Sequence, residues 1–181
     1  GTEEHPGAIE RADGGTLFLD EVATMPREVQ ARLSPALRGR FRRNDDETPR
    51  ASNVTVIAAT DHDLAERVRE GHFRHDLFYR LARIDLTIPP LRERTEDIRQ
   101  AVVWVANRLL TRHGEDRTLA LESNADEGEL ILTNDALQAL EKHEFRGNFR
   151  ELDQIMERAL MLYRDGEKVS EASIRRALGK R

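Results

Sequence analysis

Apolar residues fall into short β-prone runs in the first half of the chain and into helical stripes in the second. Thr16 to Leu19 form an apolar run that stops at Asp20 and Glu21, the pattern of a buried strand with acids at its carboxyl end. From Pro26 onward Val29, Leu33 and Leu37 recur at helical spacing, and proline suits a first helical turn, so a helix is expected to return across a sheet. Residues 42–53, RRNDDETPRASN, mix charge with turn formers and lack apolar periodicity, so they read as an exposed loop. Val54 to Ala59 is expected to be a second buried strand. Asp63 then caps a helix over Leu64 to Arg69 that Gly71 ends, and FRHDLFYRLA supplies a further short helix. Asp85 to Ile88 alternates as a third strand, closed by Pro89 and Pro90, which cannot extend a ladder.

Strands separated by helices predict an α/β fold with a parallel, doubly wound layer for this half. The pattern then changes. A long helix is expected over 95–113, with Ile98, Val102, Val105 and Leu109 on one face; residues 114–129 read as an acidic loop. Helices follow over Asn134 to Glu144, Asn148 to Tyr163 and Ser170 to Leu178. A boundary near Pro89 to Arg94 divides the chain into an α/β part, 1–90, and a helical part, 91–181. Neither part contains an internal repeat or a low-complexity tract.

The 181 residues are 38% hydrophobic and 35% charged, enough for a core but short for two large domains. Lys plus Arg number 29 against 34 Asp plus Glu, a net charge of -5, so nucleic-acid contact would require a local basic patch. The best basic run, Arg38, Arg40, Arg42 and Arg43, has only Phe41 for aromatic company and suits a solvated helix end. Cysteine is absent, which removes disulfides, thiolate metal sites and cysteine nucleophiles. The six histidines show no metal-ligand spacing. The amino-terminal segment has no basic and apolar signal-peptide pattern, and no run approaches the ~20 apolar residues of a membrane span. A cytoplasmic protein without membrane association is expected.

In an open α/β sheet, ligands collect beyond the carboxyl ends of the strands, where Asp20 and Glu21 are placed. A carboxylate there can hold magnesium, and its neighbour can orient a water for attack on a phosphoryl group. Four apolar residues followed by two acids also arise by chance, so the pair alone is only suggestive. More specific is the ordered set ADGGTLFLDEV, VTVIAATD, EGHFRHDLFYRL, IPPLRERTEDI and FRGNFREL, which spans Ala12 to about Leu160. Together these segments resemble the AAA+ ATPase domain of bacterial sigma-54-dependent transcriptional activators.

The resemblance implies a partial AAA+ parallel sheet followed by an all-helical lid, with ATP and Mg2+ as ligands of the full-length protein. It implies that Asp20 is the magnesium-binding residue, and Glu21 the water-activating residue, of a Walker B pair. Thr60 and Asp61 fall at the nucleotide-sensing pair that the family writes Thr-Asn; an amide can donate a hydrogen bond, whereas an ionised carboxylate only accepts. Arg74 and Arg80 match the arginines that reach a neighbouring subunit's nucleotide, a task suited to a permanently charged, forked guanidinium. Read without the family, the same two arginines suit surface salt bridges with acids such as Asp76 and Glu70. Arg150 matches the lid's sensor II arginine; Gly147 and Asn148 before it read as a helix stop and a helix cap, and Arg146 stands where the family usually has proline.

The chain contains neither a Gly-x-x-x-x-Gly-Lys-Ser/Thr phosphate loop nor a GAFTGA-type loop, the family's means of engaging the sigma factor. In the family fold the phosphate-loop strand lies between the strands expected at Asp85 to Ile88 and Val54 to Ala59. The chain is therefore expected to be a segment of a longer polypeptide and to bind ATP weakly or not at all alone. The partners implied are the sigma-54 RNA polymerase holoenzyme, further copies in a hexameric or heptameric ring, and DNA through a separate domain. A degenerate AAA+ scaffold without hydrolysis, and an AAA+ remodeller outside transcription, are the alternatives.

Overall fold

The computed structural model describes residues 7–43, 46–162 and 168–179. Two compact units divide the chain, Gly1–Leu86 and Thr87–Arg181.

In the first unit a short helix α1 (Ala8–Arg11) precedes β1 (Thr16–Leu19), which pairs in parallel with β4 (Thr55–Ala58), Phe18 opposite Ile57. Helix α2 (Arg27–Ala36) follows β1. Pro26 directly precedes this helix as expected, and Pro35, lacking an N–H, lies one residue before its end. Residues 42–53 are not the expected loop: β2 (Arg40–Arg43) and β3 (Asp46–Ala51) form an antiparallel hairpin. Hairpin pairing is carried by backbone groups, which a search for apolar periodicity cannot register. The side chains of Arg40, Arg42 and Arg43 lie outside the described residues, as does Tyr163.

Helix α3 (Leu64–Arg69) begins at Asp63, whose carboxylate accepts from Ala65 N at 2.8 Å and Glu66 N at 3.2 Å. It ends at Gly71, whose φ of +75° is the left-handed geometry glycine adopts without cost. Helix α4 (His75–Leu81) follows. Leu33, Phe73 and Leu77 form the buried core, with Leu19, Met25, Leu64 and Val68 packed against it.

Two further expectations for this part are corrected. Strands β1 and β4 are not buried: they alternate between exposed and half-buried, and Phe18 and Ile57 are 59% and 53% exposed on one uncovered face. Asp85 to Ile88 forms no strand, because a strand exists only with a ladder partner and this segment pairs with none among the described residues. Its alternating apolar residues, Ile84, Leu86 and Ile88, are exposed.

In the second unit, two 3-10 turns (Leu91–Glu93 and Thr95–Asp97) lead into α5 (Ile98–Arg112). Its buried face includes Ile98, Val102, Val105 and Leu109, the expected stripe. Helices α6 (Asn134–Glu141), α7 (Asn148–Leu162) and α8 (Glu171–Ala177) pack around the same core, which runs from Leu91 to Ala177. The region read as an acidic loop holds in addition β5 (Leu119–Leu121), which pairs in parallel with β6 (Leu130–Leu132), itself parallel to β7 (Lys168–Val169). Runs of two or three residues are too short for a periodicity to form. Among the described residues, no helix is long and apolar enough to cross a membrane.

Candidate functional site

The first site is built where β1 and β4 end together. Ala59 N donates to Leu19 O at 2.8 Å and Val22 N to Ala59 O at 3.0 Å, so pairing continues past both strands. Val22, fully buried, and Ala23 then turn inward in a 3-10 turn, Val22–Thr24. Reversing the chain within so few residues leaves Glu21 in the left-handed region, at φ 52° and ψ 46°. A non-glycine residue held there costs about 1–2 kcal/mol, met here by the anchored residues on either side. Thr24 Oγ1 donates to Glu21 O at 2.8 Å, and Asp20 Oδ1 accepts from Glu21 N at 3.1 Å. The acids thus sit at a fixed, exposed corner.

Across the pair, Thr60 Oγ1 accepts from His62 N at 3.1 Å, and Asp61 lies 2.5 Å from His62 Nδ1. Donor atoms of Glu21, Asp61 and His62 all lie within 4.8 Å of one another. The hydrogen bond to His62 is the main reason that the Asp61 carboxyl is held below its ordinary range, with a contribution from Glu21. Asp20, Glu21, Thr60 and Asp61 are therefore brought to adjoining strand ends. His62, which offered no ligand spacing in sequence, joins them by tertiary proximity. The donor set suits a divalent cation: Glu21 and Asp61 offer carboxylate oxygens, as an oxygen-seeking cation requires, and His62 offers a ring nitrogen.

Arg74 and Arg80 lie at opposite ends of α4. Arg74 is held: its Nε donates to Asp76 Oδ1 at 2.9 Å and its Nη2 to Asp76 Oδ2 at 3.3 Å. Asp76, which also accepts from Ser34 Oγ at 2.8 Å, has its carboxyl lowered to about 2, Arg74 being the largest cause and Ser34 the next. Glu70 pairs with Arg67 and His72 rather than with either candidate arginine. Arg80 is half-buried in the last turn of α4 and forms no ion pair with another described residue. Gln30 and Ser34, which organise this region, carried no signal in the sequence beyond their place on a helix.

In the second unit Arg150 is exposed in the first turn of α7 and lines a cleft of about 370 Å³ with His143, Gly147, Glu151, Gln154 and Arg158. Asn148 does not cap α7. It lies at φ 51°, and its Oδ1 accepts from Leu91 N at 2.8 Å, tying the entry of this unit to α7. The capping role passes to Glu151, whose Oε2 accepts from Gly147 N at 2.8 Å and whose Oε1 lies 2.7 Å from His143 Nε2. A β-carbon at position 147 would stand 2.9 Å from that of Glu151, so the close approach admits only glycine. Arg146, where a proline was the family expectation, is exposed and pairs with Glu144.

Comparison with known proteins extends this geometry. The family model described as the Sigma-54 interaction domain matches residues 1–87, and that of the AAA+ ATPase lid domain matches residues 92–181. The Nitric oxide reductase transcription regulator NorR2 of Cupriavidus necator is 44% identical over 161 residues, 88% of this chain and 29% of that protein. The Response regulator protein PilR of Pseudomonas aeruginosa is 40% identical over 166 residues, 91% of this chain and 35% of that protein. The crystal structure of NtrX from Brucella abortus in complex with ADP superposes with a TM-score of 0.76 at 32% identity, covering 92% of this chain and 36% of that one. The chain thus spans about a third of the length of the curated relatives it matches. With both family models matched in order and the strand-end acids in place, the chain belongs to the AAA+ family of sigma-54-dependent transcriptional activators.

Proposed function

We propose that the full-length protein is an ATP-dependent activator that remodels the sigma-54 RNA polymerase holoenzyme, working as a ring of identical subunits. The observation that carries this reading is the corner at the ends of β1 and β4, where buried Val22 and Ala23 hold Asp20 and Glu21 outward. Asp20 would hold Mg2+, which when bound neutralises phosphate charge; Glu21 orients the attacking water and accepts its proton. Arg74 and Arg80 extend to the nucleotide of a neighbouring subunit, where a guanidinium stabilises charge developing on the transferred phosphoryl group. Arg150, on the rim of the lid cleft, senses the nucleotide. Nucleotide binding is supported by the NtrX likeness, since that protein was crystallised with ADP and with ATP. DNA would be engaged by a separate domain.

Asp61 favours a second reading, a scaffold that binds partners without hydrolysis. A carboxylate beside Glu21 cannot donate to a phosphate and repels its charge. Steady-state ATP turnover of the full-length protein separates the two. Under the activator reading Glu21→Ala lowers kcat by at least about a hundredfold with ATP binding retained. Turnover that is absent from the unaltered protein would decide for the scaffold, whereas turnover that is present but unchanged by Glu21→Ala would remove the role assigned to Glu21.

A further inference from the structure

Among the described residues the buried polar side chains are Gln30 and Ser34, 0% and 1% exposed. They lie one turn apart on α2, and both are spent on the approach to α4. Gln30 Nε2 donates to Met25 O at 2.8 Å and to His72 O at 3.1 Å, while its Oε1 accepts from Arg74 N at 2.8 Å. All three bonds go to main chain, and two of them bracket residues 72–74. Ser34 Oγ donates to Asp76 Oδ2, and Asp76 grips the Nε and Nη2 edge of Arg74.

A buried amide or hydroxyl is costly unless it is bonded, so each position admits little but the observed geometry. An exposed ion pair between residues 74 and 76 would alone hold a long side chain only loosely. Anchoring Asp76 to a buried hydroxyl removes that freedom. The grip is also one-sided. Of the five guanidinium hydrogens it uses one on Nε and one on Nη2, and Nη1 forms no hydrogen bond among the described residues. One edge of the fork is fixed and the other stays available to phosphate oxygens.

We infer that Gln30 and Ser34 are positioning residues for Arg74: from α2, Gln30 sets its backbone, and Ser34 acting through Asp76 sets its guanidinium, before a neighbour's nucleotide is met. This rests on the reading of Arg74 as the residue that reaches that nucleotide. Pre-ordering matters because binding a phosphate otherwise requires immobilising a flexible side chain at the moment of reaction.

The test is ATP turnover of the full-length protein with thermal unfolding measured on each variant. Ser34→Ala is expected to lower kcat about tenfold at unchanged KM and unchanged melting temperature, with Ser34→Thr restoring it. In an Arg74→Ala background, which itself loses at least about a thousandfold, Ser34→Ala is expected to add nothing. Gln30→Met, of similar volume, should lower kcat in the same way; should it fail to fold, the Ser34 series carries the test alone. The inference is overturned if Ser34→Ala turns over normally while Arg74→Ala does not, or if Ser34→Ala costs as much with Arg74 absent as with it present. Normal turnover in Arg74→Ala would instead remove the underlying assignment of Arg74.

Discussion

Glu151 concentrates several demands on one side chain. It accepts from Gly147 N, faces His143 at 2.7 Å and sits beside Arg150 on the cleft rim. The bond to His143 is the largest cause, and that to Gly147 N the next, of a Glu151 carboxyl held below its ordinary value of 4.5; the charge of Arg146 adds to this. A carboxyl whose folded-state value is depressed binds protons more readily when unfolded. Its contribution to stability is therefore complete above pH 4.5 and is lost as pH falls through the lower folded-state value. Urea denaturation between pH 6 and pH 3 is expected to show a loss of stability that is smaller in Glu151→Gln, and an identical pH profile in that variant would contradict the assignment. Asp61 is the corresponding residue of the first unit, its carboxyl also lowered, by His62 foremost.

At the scale of elements, the helices are set by their ends as much as by their faces. Asp63 satisfies two otherwise orphaned N–H groups of α3, and Thr133 Oγ1 accepts from Ala136 N at 3.3 Å at the start of α6. Helix α3 is six residues long and buries no residue fully, so packing cannot compensate for a lost cap. Asp63→Ala is expected to destabilise the protein by about 1 kcal/mol in chemical denaturation, with protection from hydrogen exchange falling at Ala65 and Glu66. The strands follow another rule: β1 and β4 place Phe18 and Ile57 side by side on a face that nothing among the described residues covers.

Over the whole molecule the two units differ in how much apolar surface they enclose. Thr87–Arg181 surrounds a continuous buried cluster from Leu91 to Ala177, braced at its surface by ion pairs from Arg108 to Asp153 and from Arg112 to Glu157. The buried core of Gly1–Leu86 is centred on Leu33, Phe73 and Leu77. Stability scales with apolar area removed from water, so the units are expected to separate in behaviour. Residues 87–181 expressed alone should unfold cooperatively in urea, whereas residues 1–86 alone should unfold without a sharp transition and bind an apolar dye. Equal cooperativity in both fragments would contradict this.

By itself the sequence determined what local rules govern. An apolar run ending in Asp20 and Glu21, the cap at Asp63, the stop at Gly71 and the stripe of α5 are each written within about a turn or a strand of chain. The tertiary structure alone decided what depends on distant partners. Asp85 to Ile88 has strand alternation but no ladder, β2 and β3 form a ladder without alternation, and Asn148 bonds to Leu91 rather than capping its own helix. The same holds at the site: Gln30 meets Arg74 across 44 residues, and Glu21 meets His62 only because β1 and β4 pair in register. Propensity and capping act between neighbours in sequence. Pairing, burial and the orientation of a charged group are properties of whatever the folded chain places alongside.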